Sequence, residues 1–200
     1  MLEQRIQQQF HESAELKQQA ATLMAGPVAQ AVACIANAVS NGGKVLVCGN
    51  GGSAADSQHF AAELVGRFER ERMELAAIAL TTDTSVLTAL ANDFGFNQVF
   101  SRQVRALGQP GDVLVAISTS GNSPSVLEAV RAAQDRDLLV VGLSGKGGGQ
   151  LTAMLREQDV HLCVPHDRTA RIQEVHLLML HCICDGVDWT LMGDPEDSND

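Results

Sequence analysis

Short apolar runs alternate with segments of helical pattern along most of the chain, and this alternation limits the possible fold more than any other feature. The apolar runs are aliphatic and occupy residues 44–49, 76–81, 112–118, 137–144 and 160–164. The helical patterns between them occupy residues 54–68, 84–91, 123–135 and 149–156. Strands that are apolar along their whole length and alternate with helices form parallel sheets with helices on both faces. The sequence therefore predicts an α/β three-layer sandwich with a five-stranded parallel sheet.

Helical patterns also flank the predicted sheet. Residues 2–23 are rich in Gln, Glu, Ala and Leu, which favour helix formation. Pro27 suits the first turn of a second helix, which we expect to run over residues 27–40. A long apolar helix is predicted over residues 168–191. The sheet is therefore expected to follow N-terminal helices and to precede a long C-terminal helix.

The bulk properties of the chain limit its possible partners and location. We interpret residues 1–193 as one domain with N-terminal helices in 1–41, and the acidic tail 194–200 as disordered. The net charge of −10 argues against direct nucleic-acid binding, because nucleic-acid backbones attract basic surfaces. The N-terminus is polar, and no stretch approaches the roughly 20 apolar residues that span a bilayer. We therefore predict a cytoplasmic protein without a membrane partner. The odd set of five cysteines is interpreted as reduced, buried hydrophobic residues: Cys34, Cys48, Cys163, Cys182 and Cys184.

Two loops of small residues follow the first and third predicted strands. They read GNGGS at 49–53 and STSGNS at 118–123. Glycines let backbone N–H groups approach an anion, and the helix that follows each loop adds partial positive charge at its N-terminus. The pattern lacks the lysine of a nucleotide-binding P-loop and the glycine spacing of a dinucleotide fold. It predicts a phosphate or sugar-phosphate site, with a pair of tight turns as the alternative. We interpret the third Gly-rich turn, residues 145–149, as structural.

Polar residues at regular helical spacing follow the first loop and recur in the last helix. His59 and Glu63 are four residues apart and share one helix face, where they suit metal binding or acid–base chemistry. The alternative is a solvated helix pair. Gln173 and His181 interrupt an apolar run, so they need polar partners. His176 in the same helix is interpreted as structural.

Four segments carry a resemblance to a known family. They read NGGKVLVCGNGGSAADSQHFAAEL, ANDFGFNQVFSRQV, GDVLVAISTSGNS and ARIQEVHLLMLH, and they are spread over nearly the whole chain. The sequence resembles the sugar isomerase (SIS) domain family and, within it, the phosphoheptose isomerases. The resemblance implies a flavodoxin-like fold and the conversion of sedoheptulose 7-phosphate to D-glycero-D-manno-heptose 7-phosphate. That reaction is the first step of the ADP-heptose pathway toward the lipopolysaccharide core.

The resemblance also implies roles for particular residues. Those that match the family's substrate contacts are Asn50, Gly51, Gly52, Ser53, Glu63, Asn92, Asp93, Ser118, Thr119, Ser120, Ser123 and Gln173. Those that match its ligands for one zinc ion per subunit are His59, Glu63, Gln173 and His181. Glu63 and His181 also match its acid–base pair. Some members carry Asp where this chain has Ala170, so we expect one sugar contact to be weaker here.

Helix geometry and the resemblance both bear on assembly. Gln173 and His181 are eight residues apart, or about 12 Å along one helix, so a single small site is hardly reached by both. We therefore expect a neighbouring subunit to supply one of them, in a homotetramer with shared active sites. The alternative is a non-catalytic regulator that resembles the DnaA initiator-associating protein, with DnaA as its partner. The SAAD and TARIQE stretches favour that alternative, whereas Glu63 and His181 favour an isomerase.

Overall fold

The computed structural model of the protein describes residues 1–194. The tail prediction therefore falls, except for Asp194, outside the described residues. The helices within residues 1–194 are α1 (Leu2–Ser40), α2 (Gly52–Val65), α3 (Thr84–Phe94), α4 (Ser101–Leu107), α5 (Pro124–Asp135), α6 (Gly149–Met154) and α7 (Thr169–Met192). The strands are β1 (Val45–Gly49), β2 (Ala77–Ala79), β3 (Val113–Ile117), β4 (Leu139–Ser144) and β5 (Val160–Cys163). Each observed strand lies inside the range that the sequence predicts for it.

The described strands form one parallel sheet in the order β2-β1-β3-β4-β5. Successive residues of β1 face opposite sides: Val45 and Val47 join a core with α1, α2 and α7, whereas Leu46 and Cys48 join a core with α4 and α5. The sheet is thus the middle layer between two layers of helices, and every residue of β1 and β3 is buried. The predicted three-layer α/β sandwich is confirmed.

The N-terminal region differs from the prediction, because α1 is one helix of 39 residues rather than two helices. Pro27 lies inside it, although an internal proline removes one backbone hydrogen bond and crowds the preceding turn. Side chains on both sides of Pro27 are buried in the same core as α7, among them Leu16 and Ile35. This continuous packing along α7 outweighs the local preference of proline for a helix start. The short helix α4 is absent from the sequence prediction.

The apolar character of α1 is greater than the sequence analysis indicates. The helix contains an 18-residue window with a mean hydropathy of 1.5, which is long and apolar enough to cross a membrane by length and composition. Core helices of soluble proteins meet the same criterion. Only 28% of that window is buried, because one face of α1 packs on α7 and the rest is exposed.

The five cysteines, all within residues 1–194, are free thiols. The prediction that they are buried holds for Cys48 and Cys184 alone. Cys34 and Cys163 are half-buried, and Cys182 is exposed on α7. A position in an apolar segment does not fix burial, because one face of an exposed helix such as α7 still points outward.

Candidate active site

The two predicted loops line one cavity at the carboxyl edge of the sheet. Because β1 and β3 pair in register from Val45 with Val113 to Gly49 with Ile117, their loops leave the sheet side by side. The cavity has a volume of about 320 Å³. Its lining comprises Asn50, Gly51, Gly52, Ser53, Ile117, Ser118, Thr119, Ser120, Ser123, Thr169 and Gln173. The N-terminal ends of α2, α5 and α7 therefore border the same space, which favours an anionic ligand.

Asn50 joins the two loops. Its side-chain Nδ2 donates to the hydroxyl of Ser123 at 2.8 Å and to the hydroxyl of Ser125 at 3.0 Å. The backbone N–H of Ser123 donates to the Ser118 hydroxyl at 3.4 Å, which closes the second loop on itself. The loops are therefore held in place before a ligand binds, so ordering them costs little binding free energy.

The third Gly-rich turn supports the second loop from behind. Gly121 has a φ of +62°, and a Cβ atom there would overlap the carbonyl oxygen of Gly148. The Asn122 side chain accepts from the backbone N–H of Gln150 at 2.9 Å and donates to the Ser120 carbonyl at 3.0 Å. The turn at 145–149 thus has the structural role that the sequence predicts.

A seam between α2 and α7 carries the remaining polar candidates. At the loop end of the seam, Gln173 lies so close to Gly52 that a Cβ atom there would be 2.5 Å from Gln173 Nε2. Two turns further along both helices, His59 Nε2 lies 2.8 Å from His181 Nε2. Glu63 Oε1 is 3.5 Å from the same His59 nitrogen. The structure therefore brings His59, Glu63 and His181 together and places Gln173 beside the two small-residue loops.

The histidine contact constrains the protons in this cluster. The two Nε2 atoms are within hydrogen-bond distance, so one ring carries its proton at Nε2 and the other accepts it. The rings meet nearly edge-on with centroids 5.0 Å apart, and the ring of Phe68 covers His181 with centroids 5.5 Å apart. Side chains of His59 and Glu63 remain 40% and 22% exposed, so solvent and a substrate can reach them.

The cluster has the chemistry of a zinc site but not its closed geometry. Imidazole nitrogens and carboxylate oxygens are common zinc ligands, and two ligand atoms of a tetrahedral zinc lie about 3.3 Å apart. The separation of 3.5 Å between Glu63 and His59 fits that value. The 2.8 Å between His59 and His181 is shorter, so the rings have to part by about 0.5 Å. Within residues 1–194, no group of three or more His, Cys, Asp or Glu residues has the arrangement of a formed metal site.

Asn92 and Asp93 lie apart from this cavity in a single chain. Both are exposed near the end of α3, where Asn92 Nδ2 donates to Asp93 Oδ1 at 2.7 Å. Every residue of α3 is exposed or half-buried. The predicted contact of these two residues with substrate stays a prediction, and within one chain the structure does not bring them to the loops.

The cavity also includes two residues that were not predicted from the sequence. Thr169 begins α7 and lines the cavity beside Gln173, and Ile117 ends β3 at its floor. Thr169 could have been found from the predicted start of the last helix, because that end of the helix faces the same edge of the sheet. Ala170, where some relatives have Asp, is exposed next to it.

His176 is structural, as predicted from the sequence. It is fully buried, and its Nε2 donates to the Ser144 carbonyl at 2.9 Å. Burial lowers the pKa of His176 to about 4. Its Nδ1 has no hydrogen-bond partner among residues 1–194, so protonation there places a charge in an apolar core.

The pH dependence of stability tests this reading of His176. Its pKa is about 4 when folded and about 6.5 when unfolded, so the unfolded chain binds the proton more tightly. We expect the contribution of neutral His176 to the free energy of unfolding to be fully present above pH 6.5. It should fall by roughly 3 kcal/mol as the pH drops to 4. His176→Gln should remove that part of the slope in denaturant unfolding at pH 4.5, 5.5 and 7. An unchanged slope in the variant would contradict the assignment.

Comparisons with known proteins agree with this geometry. The SIS domain family matches residues 8–145. A phosphoheptose isomerase from Azoarcus sp. (strain BH72) is 66% identical over 189 residues, 94% of this chain and 96% of the relative. One from Dechloromonas aromatica (strain RCB) is 62% identical over 189 residues, with the same coverage of 94% and 96%.

Solved structures give the same result. The structure of a phosphoheptose isomerase from Neisseria gonorrhoeae has a TM-score of 0.90 at 56% identity, covering 94% of this chain and 99% of that one. One from Francisella tularensis has a TM-score of 0.91 at 44% identity, covering 94% and 98%. The chain belongs to the SIS domain family and, within it, to the phosphoheptose isomerases.

Proposed function

We propose that this protein is an aldose–ketose isomerase that converts sedoheptulose 7-phosphate to D-glycero-D-manno-heptose 7-phosphate in the cytoplasm. The observation that carries the proposal is the cluster of His59, Glu63 and His181 on the seam that begins at the phosphate loops. The phosphoheptose isomerase name of relatives up to 66% identical supports the substrate class. The reaction would supply heptose for the lipopolysaccharide core.

The loops hold the phosphate end of the sugar. Backbone N–H groups at Gly51 and Gly52, together with the helix N-termini, offer donors and partial positive charge without a basic side chain. The hydroxyls of the second loop add further donors, from Ser118, Thr119, Ser120 and Ser123. This type of site explains how a protein with a net charge of −10 can bind a dianion.

Two groups share the proton transfers. In our assignment the Glu63 carboxylate removes a proton from C1 of the ketose, and the electron pair forms the C1=C2 bond of an enediol. His181 donates a proton to the carbonyl oxygen on C2 at the same time. In the second half, His181 takes the proton from the oxygen on C1, and Glu63 returns its proton to C2. The result is an aldehyde at C1, and both residues recover their starting states.

One zinc ion per subunit completes the proposal. His59, Glu63 and His181 would hold it once the histidine rings part, with the Gln173 side-chain oxygen as a fourth ligand. His181 would then bind through Nε2 and carry the transferred proton on Nδ1. When bound, zinc supplies a positive charge that polarises the sugar carbonyl and stabilises developing negative charge. Gln173 lies at the loop end of the seam, so its participation calls for a second subunit.

A homotetramer with shared sites accounts for the exposed apolar surface of α1 and α7. A groove of about 320 Å³ between these helices is lined by Met24, Val28, Leu178 and Cys182, among others. An adjoining groove of about 370 Å³ includes Trp189, whose side chain is 57% exposed. Apolar faces of this kind mark protein–protein interfaces. Assembly through them would also bring Asn92, Asp93 and Gln173 of different copies to one site.

A charge in the groove tests the assembly. Leu178 is 40% exposed and lies among apolar residues, so Leu178→Glu should oppose burial there. We expect sedimentation velocity to show a species smaller than the tetramer, with most of the isomerase activity lost. Gln158→Glu adds the same charge at an exposed turn before β5 and should leave the oligomeric state and the isomerase activity unchanged. Full activity in a verified monomer would contradict shared sites.

Incubation with sedoheptulose 7-phosphate tests the function directly. We expect NMR to show the aldose phosphate, with a higher rate on added zinc and a lower rate with a chelator. The alternative is a non-catalytic DnaA-associating regulator. No turnover under either condition, together with binding to DnaA, would support that alternative and overturn the isomerase. The cluster of His59, Glu63 and His181 favours the enzyme, since a regulator has no need of it.

A further inference from the structure

The polar seam between α2 and α7 does not end at His181. Seven residues further along α7, the Asp188 carboxylate accepts from Arg72 Nε at 2.6 Å. Both side chains are almost fully buried, at 4% exposure for Arg72 and 3% for Asp188. Gln173, His181 and Asp188 each contact α2 or the segment that follows it, so they lie along the side of α7 that meets α2. The Arg72–Asp188 pair is thus the next polar contact of the seam after the histidines.

Arg72 also closes the C-terminal end of α2. Its Nη2 donates to the carbonyl oxygen of Glu63 at 2.8 Å, and its Nη1 donates to that of Leu64 at 2.9 Å and that of Gly66 at 3.3 Å. The last carbonyls of a helix have no partner within the helix, and a cation there also compensates the helix dipole. The guanidinium therefore ties the backbone of Glu63 to the helix that carries His181.

This contact adjoins the candidate catalytic cluster, because Arg72 bonds the backbone of Glu63 and Asp188 lies two turns from His181 on α7. The Cys184 thiol lies between His181 and Asp188 on α7, and its pKa is raised to about 12, mainly by burial and then by the charges of Glu63 and Asp188. Asp188 Oδ2 is buried and has no hydrogen-bond partner among residues 1–194. Burial alone does not make such an ion pair a source of stability, because apolar residues of similar size often replace buried pairs without loss.

We propose that Arg72 and Asp188 are a positioning pair that sets the distance between Glu63 and His181. The inference rests on the proposed isomerase function. Arg72 fixes the last turn of α2, which carries Glu63. Asp188 in turn holds Arg72 against α7, at a position two turns away from His181. Without the pair, α2 keeps its helix and its packing, but its last turn is free to shift relative to α7.

The double variant Arg72→Met with Asp188→Leu separates positioning from stability. It replaces the buried charges by apolar side chains, so the protein stays folded by circular dichroism at 25 °C. We expect kcat to fall roughly ten- to a hundredfold, because misplacement of a catalytic group by about 1 Å has an effect of that size. KM should change less than about twofold, since the phosphate loops are untouched. A folded double variant with the kcat of the wild type would overturn the inference.

The single variant Arg72→Lys is a second, independent test. Lysine keeps the charge beside Asp188 but lacks the planar fork that reaches the carbonyls of Glu63 and Leu64. It should fold and show an intermediate kcat with an unchanged KM. It decides the question if the double variant does not fold, and wild-type kcat in Arg72→Lys would then overturn the inference.

Lys44 offers a matched control at the opposite edge of the sheet. Its ammonium pairs with the buried carboxylate of Asp112 at 2.6 Å, ahead of β1 and β3. Lys44→Met should lower the melting temperature while kcat and KM stay at wild-type values. A wild-type protein with no isomerase activity would reject the proposed function, whereas an active wild type with an equally active double variant would reject only the positioning pair.

Discussion

Glu63→Gln lowers kcat by roughly a thousandfold and leaves the fold intact, if Glu63 is the base that moves the carbon-bound proton. General-base catalysis contributes about 10²- to 10⁴-fold, and glutamine has the size of glutamate but cannot accept the proton. Glu63 is 22% exposed on the seam, so the substitution leaves no buried charge unpaired. KM should stay close to the wild-type value, because the loops that hold the phosphate are unchanged. The measurement is steady-state isomerisation with zinc at saturation.

A second acidic residue controls for the loss of charge. Glu157 is exposed in the turn after α6, and Glu157→Gln should behave as the wild type. His181→Asn should match Glu63→Gln in its loss of kcat, because the two groups act in the same step. If Glu63→Gln retains more than about a tenth of wild-type kcat, another group removes the proton.

Gly121→Ala should cause the largest loss of substrate binding. The residue has a φ of +62°, and a Cβ atom would overlap the Gly148 carbonyl, which is backbone and cannot rotate away. We expect a loss of roughly 3 kcal/mol in stability, from about 1–2 kcal/mol for left-handed backbone and about 1–3 kcal/mol for overpacking. The second loop must move, so kcat/KM should fall at least a hundredfold.

Gly147→Ala is the matched control for backbone conformation. Gly147 has a φ of +73° in the supporting turn, yet a Cβ atom there would meet open space. It should cost about 1–2 kcal/mol of stability for the left-handed conformation and leave kcat/KM near the wild-type value. Denaturant unfolding measures the stability of both variants, and steady-state kinetics measures their kcat/KM. Equal behaviour of the two alanine variants would show that contact between the loop and the turn is unimportant.

The parts of the structure that depend on local pattern were predictable from the sequence. The five strands follow from aliphatic runs, and the two loops follow from glycine and hydroxyl residues at strand ends. His59 and Glu63 share a face because their spacing of four residues is a property of any helix. Each of these conclusions needs only neighbouring residues.

The parts that depend on packing were not predictable. Pro27 is locally a helix start, but burial along α7 makes α1 continuous. The contact of His59 with His181 joins residues 122 positions apart, and the sequence gives no measure of how two helices align. Arg72 belongs to an irregular segment rich in charges, where nothing in the local pattern separates a buried arginine from a solvated one. The same limit applies to Asn92 and Asp93, whose predicted role depends on a second copy.

Isomerisation in D₂O tests the central claim most directly, because proton transfer through an enediol and internal hydride transfer leave different isotopes in the product. Wild-type protein is incubated with sedoheptulose 7-phosphate through many interconversions, and carbon-bound deuterium is measured by NMR. Since Glu63 is partly exposed, its proton exchanges with solvent. We expect deuterium on C2 of the aldose with the wild type and none with Glu63→Gln over the same time. An aldose that forms at the wild-type rate and remains free of carbon-bound deuterium would contradict the proposed mechanism.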